Sequence, residues 1–256
     1  MEHTVAIVTG AAGGIGAAVV RALSKRGAVV AAMDRDKQRL ADLADKLATE
    51  GLTMHGVPVD VSDADAVEAA VEEVEQRLGP VEYLVNAAGV LRLGPVLGYC
   101  DEDWRTTFAV NVNGVFHTSR AVVDRMARRR HGAVVTVASN AAYVPRSAMA
   151  AYAASKAAAA MFTKSLGLEA AQYGIRCNVV APGSTDTPML TSMWQDESGP
   201  AATVHGDPDS FRVGIPLGRI AQPSAIADAV VFLLSAEASH ITLSHLTVDG
   251  GAALGA

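Results

Sequence analysis

The 256-residue sequence predicts an α/β fold, one doubly wound parallel sheet of seven strands with helices on both faces, and three observations carry the prediction. Seven short apolar runs alternate with helical patterns, without internal repeats. No linker-like stretch interrupts them, so residues 1–256 read as a single domain. Half of the residues are hydrophobic but only 5% are aromatic, an aliphatic, Ala/Val-rich composition that suits helices packed closely on buried parallel strands.

Residues 5–9 form an apolar run stopped by Gly10-Ala-Ala-Gly-Gly-Ile-Gly16, and a helical pattern then continues to Gly27. Strand, glycine turn and helix in that order make a Rossmann-type dinucleotide fingerprint credible, where a lone glycine cluster does not. Gly10 permits the tight turn, Gly14 lets the backbone approach a pyrophosphate, and Gly16, after Ile15, lets the helix pack on the strand. The phosphates would meet the positive end of that helix. The Gly-x-x-x-Gly-x-Gly spacing is one residue longer than the common form. Residues 28–33 give the second strand, ending at Asp34. A carboxylate there accepts hydrogen bonds from both ribose hydroxyls and repels a 2′-phosphate, so NAD is expected over NADP. Arg35 can counter that repulsion or simply start the next helix, and no basic residue replaces Ala11 or Ala12.

Residues 36–50 read as a charged helix, 54–59 as the third strand, and 63–78 as a helix stopped by Gly79-Pro80. Asp60, followed by Val61, can read an adenine amino group or cap the next helix. Residues 81–85 form the fourth strand and lead into Asn86-Ala87-Ala88-Gly89, small enough for a cofactor to lie against. Asn86 can also tie neighbouring strands together. Residues 101–130 read as one long helix with Asn111-Val-Asn-Gly114 at its middle, where asparagine and glycine weaken helical structure. A kink there would free a carbonyl to hold water near Lys156, with Asn111 the better candidate than Asn113. Residues 133–138 form the fifth strand, a helix opening near Tyr152 runs to Tyr173, and 175–181 form the sixth strand. Pro182-Gly183-Ser-Thr-Asp-Thr187 follows, where Thr185 and Thr187 can meet a nicotinamide amide and a phosphate. The irregular stretch 188–213, rich in Ser, Asp, Gly and Pro, predicts a substrate lid at the strand ends. Residues 223–235 form a helix and 241–248 the last strand.

The chemistry centres on Tyr152-Ala-Ala-Ser-Lys156, a phenol and an amine four residues apart and therefore on one helix face. A free tyrosine has a pKa of roughly 10, so forming phenolate at pH 7 costs ~4 kcal/mol. A nearby ammonium reduces that cost and fits Tyr152 for general acid–base work on a substrate hydroxyl. Ser139 closes the run 133–138, so its hydroxyl emerges at a strand end where it can hold the same oxygen. A surface tyrosine beside a solvated lysine is the competing reading. Tyr143, which has Ser147 rather than lysine at i+4, lacks the pairing altogether.

The net charge of −6 argues against nucleic acid as a partner, and the basic run Arg128-Arg-Arg-His131 suits a helix C-terminus. Cys100 and Cys177 make neither a disulfide framework nor a metal motif, and the seven histidines show no ligand spacing, so no metal is expected. Met1 leads directly into the first strand and no apolar run reaches membrane-spanning length. A soluble, cytoplasmic protein with no membrane partner is expected.

Thr9-Gly-x-x-x-Gly-Ile-Gly16, Asn86-Ala-Ala-Gly89, Asn111, Ser139, Tyr152/Lys156 and Pro182-Gly183 stand in an order and spacing that resembles the short-chain dehydrogenase/reductase family over essentially the whole chain. The resemblance implies a catalytic tetrad of Asn111, Ser139, Tyr152 and Lys156, hydride exchange with a nicotinamide, and a homotetramer built on the helices around Asn111 and Tyr152. It also implies a cofactor groove that includes Ile15, Val61, Ala87, Gly89, Tyr152 and Lys156. Arg176-Cys-Asn-Val-Val-Ala-Pro-Gly-Ser-Thr-Asp-Thr187, Gly214-Ile-Pro-Leu-Gly218 and Ala238-Ser-His-Ile-Thr-Leu243 are more particular. They resemble family members of catechol siderophore biosynthesis that aromatise a cyclohexadiene carboxylic acid. Such an acid needs a cation, for which Arg92 and Arg146 stand on loops expected to border the pocket, with Met149 beside them. An amino-substituted ring acid, a 3-oxoacyl thioester or sugar ketone, and a nucleotide-sensing role without turnover remain open.

Overall fold

A computed structural model of the chain describes residues 1–194 and 196–255. β1 (Val5–Thr9) lies inside the sheet with all five residues buried. It pairs in parallel with β2 (Val29–Asp34) on one side, and β3 (His55–Pro58) follows at that edge. On the other side come β4 (Val81–Asn86), β5 (Gly132–Val137) and β6 (Ile175–Pro182). The two-residue strands β7 (Gly206–Asp207) and β8 (Arg212–Val213) form a separate antiparallel hairpin, and β9 (His245–Val248) closes the main sheet beside β6. The resulting order β3-β2-β1-β4-β5-β6-β9 reverses direction between β1 and β4, which opens a crevice at the carboxyl ends of the strands.

The period-two alternation of buried strands divides the core. Ala6 and Val8 face α1 (Gly14–Ser24), α2 (Lys37–Thr49) and the C-terminal helix Pro223–Leu234, through Val20, Leu23, Leu40, Leu47 and Val230. Val5 and Ile7 face α3 (Ala64–Leu78) and the helix Gly114–Arg129, through Val67, Val71, Val122 and Met126. α2 and α3 open on aspartate caps: Asp36 accepts from Arg39 N, and Asp63 accepts from Asp65 N and Ala66 N.

Three elements differ from their predicted form. The helix 101–130 is interrupted: α4 (Asp101–Phe108) passes through a π-helical turn, Ala109–Asn113, into α5 (Gly114–Arg129). α6 (Ala150–Ala170) follows β5 on the same face. The last strand is half its predicted length, because Leu243 takes a left-handed φ of 60° that breaks extension before His245. Finally, the stretch 188–213 is largely regular, with α7 (Pro188–Thr191) and α8 (Gly199–His205) ahead of the β7–β8 hairpin. Each of its helices has a proline in its first turn, where the missing N–H costs nothing. Trp194 Nε1 donates to Thr203 Oγ1 at 3.1 Å and so ties the segment to α8, while Gln195 lies outside the described residues. α9 (Pro223–Leu234) completes the helices. Among the described residues, no helix is long and apolar enough to cross a membrane.

Candidate active site

Two cavities meet along the crevice. One of about 440 Å³ runs past Gly14, Asp34, Asp60 and Val61, and one of about 330 Å³ contains Ser139, Arg146, Met149, Tyr152 and Lys156. Ile15, Ala87, Gly89 and Thr187 line both, which makes a single groove with two ends.

At the second end, α6 places Tyr152 and Lys156 one turn apart, only 8% and 5% exposed. Lys156 Nζ donates to Val137 O at 2.9 Å and lies 5.8 Å from the centre of the Tyr152 ring. Ser139 follows β5 in extended conformation, its hydroxyl accepting from Ala141 N at 3.1 Å. Burial pushes the Tyr152 phenol up, with a hydrogen bond from Ser139 opposing it, and burial pushes Lys156 down to about 8. The anticipated lowering of the tyrosine is therefore absent in the chain alone. Removing the phenolate from water outweighs the rest, and the amine is held on a backbone carbonyl.

The π turn fixes Asn111, which is completely buried. Its Nδ2 donates to Val90 O at 3.0 Å and Ser155 Oγ at 2.9 Å, and its Oδ1 accepts from Val90 N at 2.8 Å. The side chain thus clamps the segment after β4 onto α6. Gly89 sits where these parts converge: a Cβ there would lie 3.2 Å from Lys156 Nζ and 3.4 Å from Asn111 Oδ1.

The first end is shaped for a dinucleotide. Gly10 has φ +63°, and a Cβ on it would stand 2.6 Å from Ala88 Cα; one on Gly16 would collide with the Gly10 carbonyl. The N-terminus of α1 has neither a side-chain cap nor an acidic residue in its first turn, which leaves its amide groups for an anion. Asp34 Oδ2 accepts from Ala12 N at 3.0 Å and Oδ1 from Asp36 N at 3.1 Å, so the carboxylate is anchored at the groove's edge. Asp60 accepts from the backbone N and hydroxyl of Ser62, which hold its carboxyl below the usual range. It does not cap α3, a task that falls to Asp63. These features fit a nicotinamide dinucleotide: Gly10–Gly16 would receive the pyrophosphate, Asp34 the adenosine ribose, and Gly89 with Lys156 the nicotinamide end.

Asn86 is placed differently from a groove residue. It is 2% exposed, donates Nδ2 to Ser119 Oγ and Thr136 Oγ1, and accepts from Thr118 Oγ1, so it ties β4 to β5 and α5. Thr9, at the head of the glycine motif, holds the segment that follows, its hydroxyl accepting from Ala87 N and Ala88 N at 3.2 Å. Pro182, Gly183 and Thr185 line the second cavity, and the Thr185 hydroxyl donates to Gly183 O. Thr187 caps α7 and reaches Gly14, where a Cβ would lie 2.5 Å from its methyl.

Among the expected arginines, Arg146 enters the second cavity and donates Nη2 to Ala252 O at 3.4 Å. Arg92 does not. It borders the dinucleotide end, half-exposed, with Nε 3.5 Å from Asp103 on α4. The nearby carboxylate and Tyr99, which donates to Arg92 O, orient the loop away from the substrate end. Two arginines missed in the sequence stand in the groove. Arg39 lies beside Asp34 and donates Nη2 to Ala12 O at 2.7 Å, and Arg212 enters the second cavity from β8. Neither had a local signal: Arg35, four residues before Arg39, precedes the Asp36 cap of α2 and shares no helix face with it.

Residues 4–198 match the family model described as short chain dehydrogenase. The chain is 51% identical over 255 residues to 2,3-dihydro-2,3-dihydroxybenzoate dehydrogenase of Bacillus subtilis, covering 100% of this chain and 98% of that one. It is 44% identical over 249 residues to the enzyme of the same name from Escherichia coli, covering 97% and 96%. Among solved structures it superposes with TM-score 0.91, at 32% identity and 100% and 97% coverage, on a gluconate 5-dehydrogenase from Burkholderia cenocepacia crystallised with NADP and tartrate.

Proposed function

The chain belongs to the short-chain dehydrogenase/reductase family and uses a nicotinamide cofactor, and from that premise we propose that it oxidises 2,3-dihydro-2,3-dihydroxybenzoate to 2,3-dihydroxybenzoate in catechol siderophore biosynthesis. The observation that carries the reading is a guanidinium, Arg146, in the same cavity as Tyr152 and Ser139. Held by Gly10–Gly16, Asp34, Gly89 and Lys156, an oxidised nicotinamide dinucleotide would supply the hydride acceptor for the ring carbinol. Ser139 orients the substrate hydroxyl, Tyr152 as phenolate takes its proton, and Lys156 supports the phenolate. Asn111 holds the proton path through its backbone carbonyl. The cyclohexadienone left by oxidation tautomerises to an aromatic ring, which makes the reaction effectively one-way. Residues 1–256 act as one catalytic unit, with 188–213 as its lid. Exposed Phe116, Met161 and Leu168 on α5 and α6 support assembly as a homotetramer through those helices.

The direct test mixes purified protein and NAD⁺ with trans-2,3-dihydro-2,3-dihydroxybenzoate, following NADH absorbance and product mass, with trans-2,3-dihydro-3-hydroxyanthranilate in a parallel cell. Faster turnover of the diol supports the reading; faster turnover of the amino acid moves the product to 3-hydroxyanthranilate with the same catalytic groups; silence in both rejects the substrate. Arg146→Met should raise KM for the acid by about 10- to 100-fold and leave the Kd for NAD⁺ unchanged, because it removes a charge-assisted bond to the carboxylate alone. An unchanged KM would clear Arg146 of this role.

NAD preference rests on the anchored Asp34 carboxylate, against which Arg35 and Arg39 both border the same end. Asp34→Ala should raise kcat/KM with NADP⁺ relative to NAD⁺ by at least about tenfold, since it removes the repulsion and leaves two cations for a 2′-phosphate. The ratio of the two specificity constants, measured on wild type and variant, decides it.

A further inference from the structure

Arg212 is a cation in the substrate cavity to which the reaction above gives no task. It stands opposite Asp207 in the β7–β8 hairpin, near enough to feel that carboxylate's charge, but makes no close salt bridge with it or with any other described residue. The Asp207 carboxylate is taken instead by the Ser210 hydroxyl at 2.6 Å and Asp209 N at 3.1 Å. The Arg212 side chain turns inward, donates Nη2 to Ser184 Oγ at 3.0 Å, and lines the same cavity as Arg146 and Tyr152. Arg146 likewise has no carboxylate partner among the described residues; its bond is to a backbone carbonyl. Burial pushes Arg212 down from the usual guanidinium range and the neighbouring Arg146 cation pushes it further, while the Asp207 carboxylate opposes both without prevailing. Two cations turned into a cavity walled by Leu190, Met193 and Ile215 repel each other, and Arg212 has lost solvent, an arrangement that an anion between them would relieve.

We propose that Arg212 is the second arm of a carboxylate clamp: Arg146 and Arg212 together grip the ring carboxylate, and the bound acid ties the β7–β8 hairpin over the cavity. This rests on the reading of the substrate as a ring carboxylic acid. It assigns specificity to the hairpin, because a neutral alcohol or ketone of the same shape would put no counter-charge between the two guanidinium groups, leaving Arg212 with only its more distant cross-strand Asp207. Arg146 belongs to the loop before α6 and Arg212 to the segment after α8, so a ligand held by both bridges two separate walls of the cavity.

The test uses the full chain with NAD⁺ present. Benzoate binding is measured by calorimetry with benzamide as the neutral control, and KM for the dihydrodiol acid is measured in parallel, on wild type, Arg212→Gln and Arg212→Lys. Arg212→Gln should weaken benzoate and raise KM by about 10- to 100-fold, while benzamide and NAD⁺ affinities stay within about twofold. Arg212→Lys should recover part of the benzoate affinity, since it restores charge without the planar fork. Unchanged benzoate affinity in Arg212→Gln, or equal losses for benzoate and benzamide, would overturn the clamp. If wild type binds benzoate through Arg212 but does not oxidise the dihydrodiol, the clamp stands and the substrate assignment falls. Normal turnover with benzoate affinity indifferent to Arg212 gives the reverse.

Discussion

Tyr152→Phe is expected to lower the rate of substrate oxidation by about 10²- to 10⁴-fold, with NAD⁺ affinity and melting temperature close to wild type. The ring is almost fully buried, and phenylalanine keeps its volume, so packing on α6 survives. What disappears is the hydroxyl to which we assign proton exchange, beside Ser139 and Lys156. The phenol starts from a raised pKa, because burial disfavours phenolate. Proton removal must therefore be assisted by groups that act on the anion, and a variant without the hydroxyl has nothing to assist. Single-turnover NADH formation with saturating NAD⁺ isolates this step from binding. Near-wild-type turnover in the variant would remove Tyr152 from the chemistry.

Lys156→Met is expected to slow oxidation at pH 7 by on the order of 100-fold and yet to leave the fold at least as stable as wild type. Lys156 Nζ lies 5.8 Å from the centre of the ring, and a cation at a separation of about 6 Å favours a unit negative charge by roughly 3 kcal/mol at an effective dielectric constant of 20. Without it, the limb of the kcat/KM–pH profile that reports tyrosine ionisation should move to higher pH. Stability runs the other way. Lys156 falls from its ordinary 10.5 to about 8 on burial, so between those values the unfolded chain binds more protons than the folded one. Wild-type stability consequently rises as pH increases from about 8 to 10.5, and below 8 the full cost of the buried cation persists. At about 1.4 kcal/mol per pH unit that cost is roughly 3 kcal/mol. Methionine removes it but leaves Val137 O without its donor, a loss of about 1–3 kcal/mol. Thermal melts at pH 7 and pH 10 should therefore show the variant level with or above wild type at pH 7, with the difference moving in favour of wild type at pH 10. A variant that is inactive because it has unfolded would contradict both halves of this prediction.

Much of the groove was legible because its parts are local. The glycine turn needs only a strand before it and a helix after it, and a Tyr–Lys pair four residues apart shares a helix face whatever surrounds it. The weak centre of the long helix was visible as Asn111-Val-Asn-Gly114, although its form, a π turn locked by hydrogen bonds to Val90 and Ser155, was not. The arginines were the least legible. Each has a long stem that can swing either way, and the direction depends on partners far along the chain. Arg92 is drawn toward Asp103, while Arg212 leaves its cross-strand Asp207 for Ser184.

The sequence by itself determined the seven-stranded doubly wound sheet, the order of its elements and the presence of a tyrosine–lysine pair after the fifth strand. Periodicity, glycine placement and i,i+4 spacing are properties of neighbouring residues, and they act before any tertiary contact forms. Only the tertiary structure decided that Asn86 faces inward, because its partners Ser119 and Thr136 lie 33 and 50 residues away. It likewise decided that Tyr152 and Lys156 are buried deeply enough for desolvation to dominate both, and that Arg212 joins Arg146 in one cavity. Burial, charge proximity and side-chain direction are set by which distant segments pack together, and no local spacing encodes that.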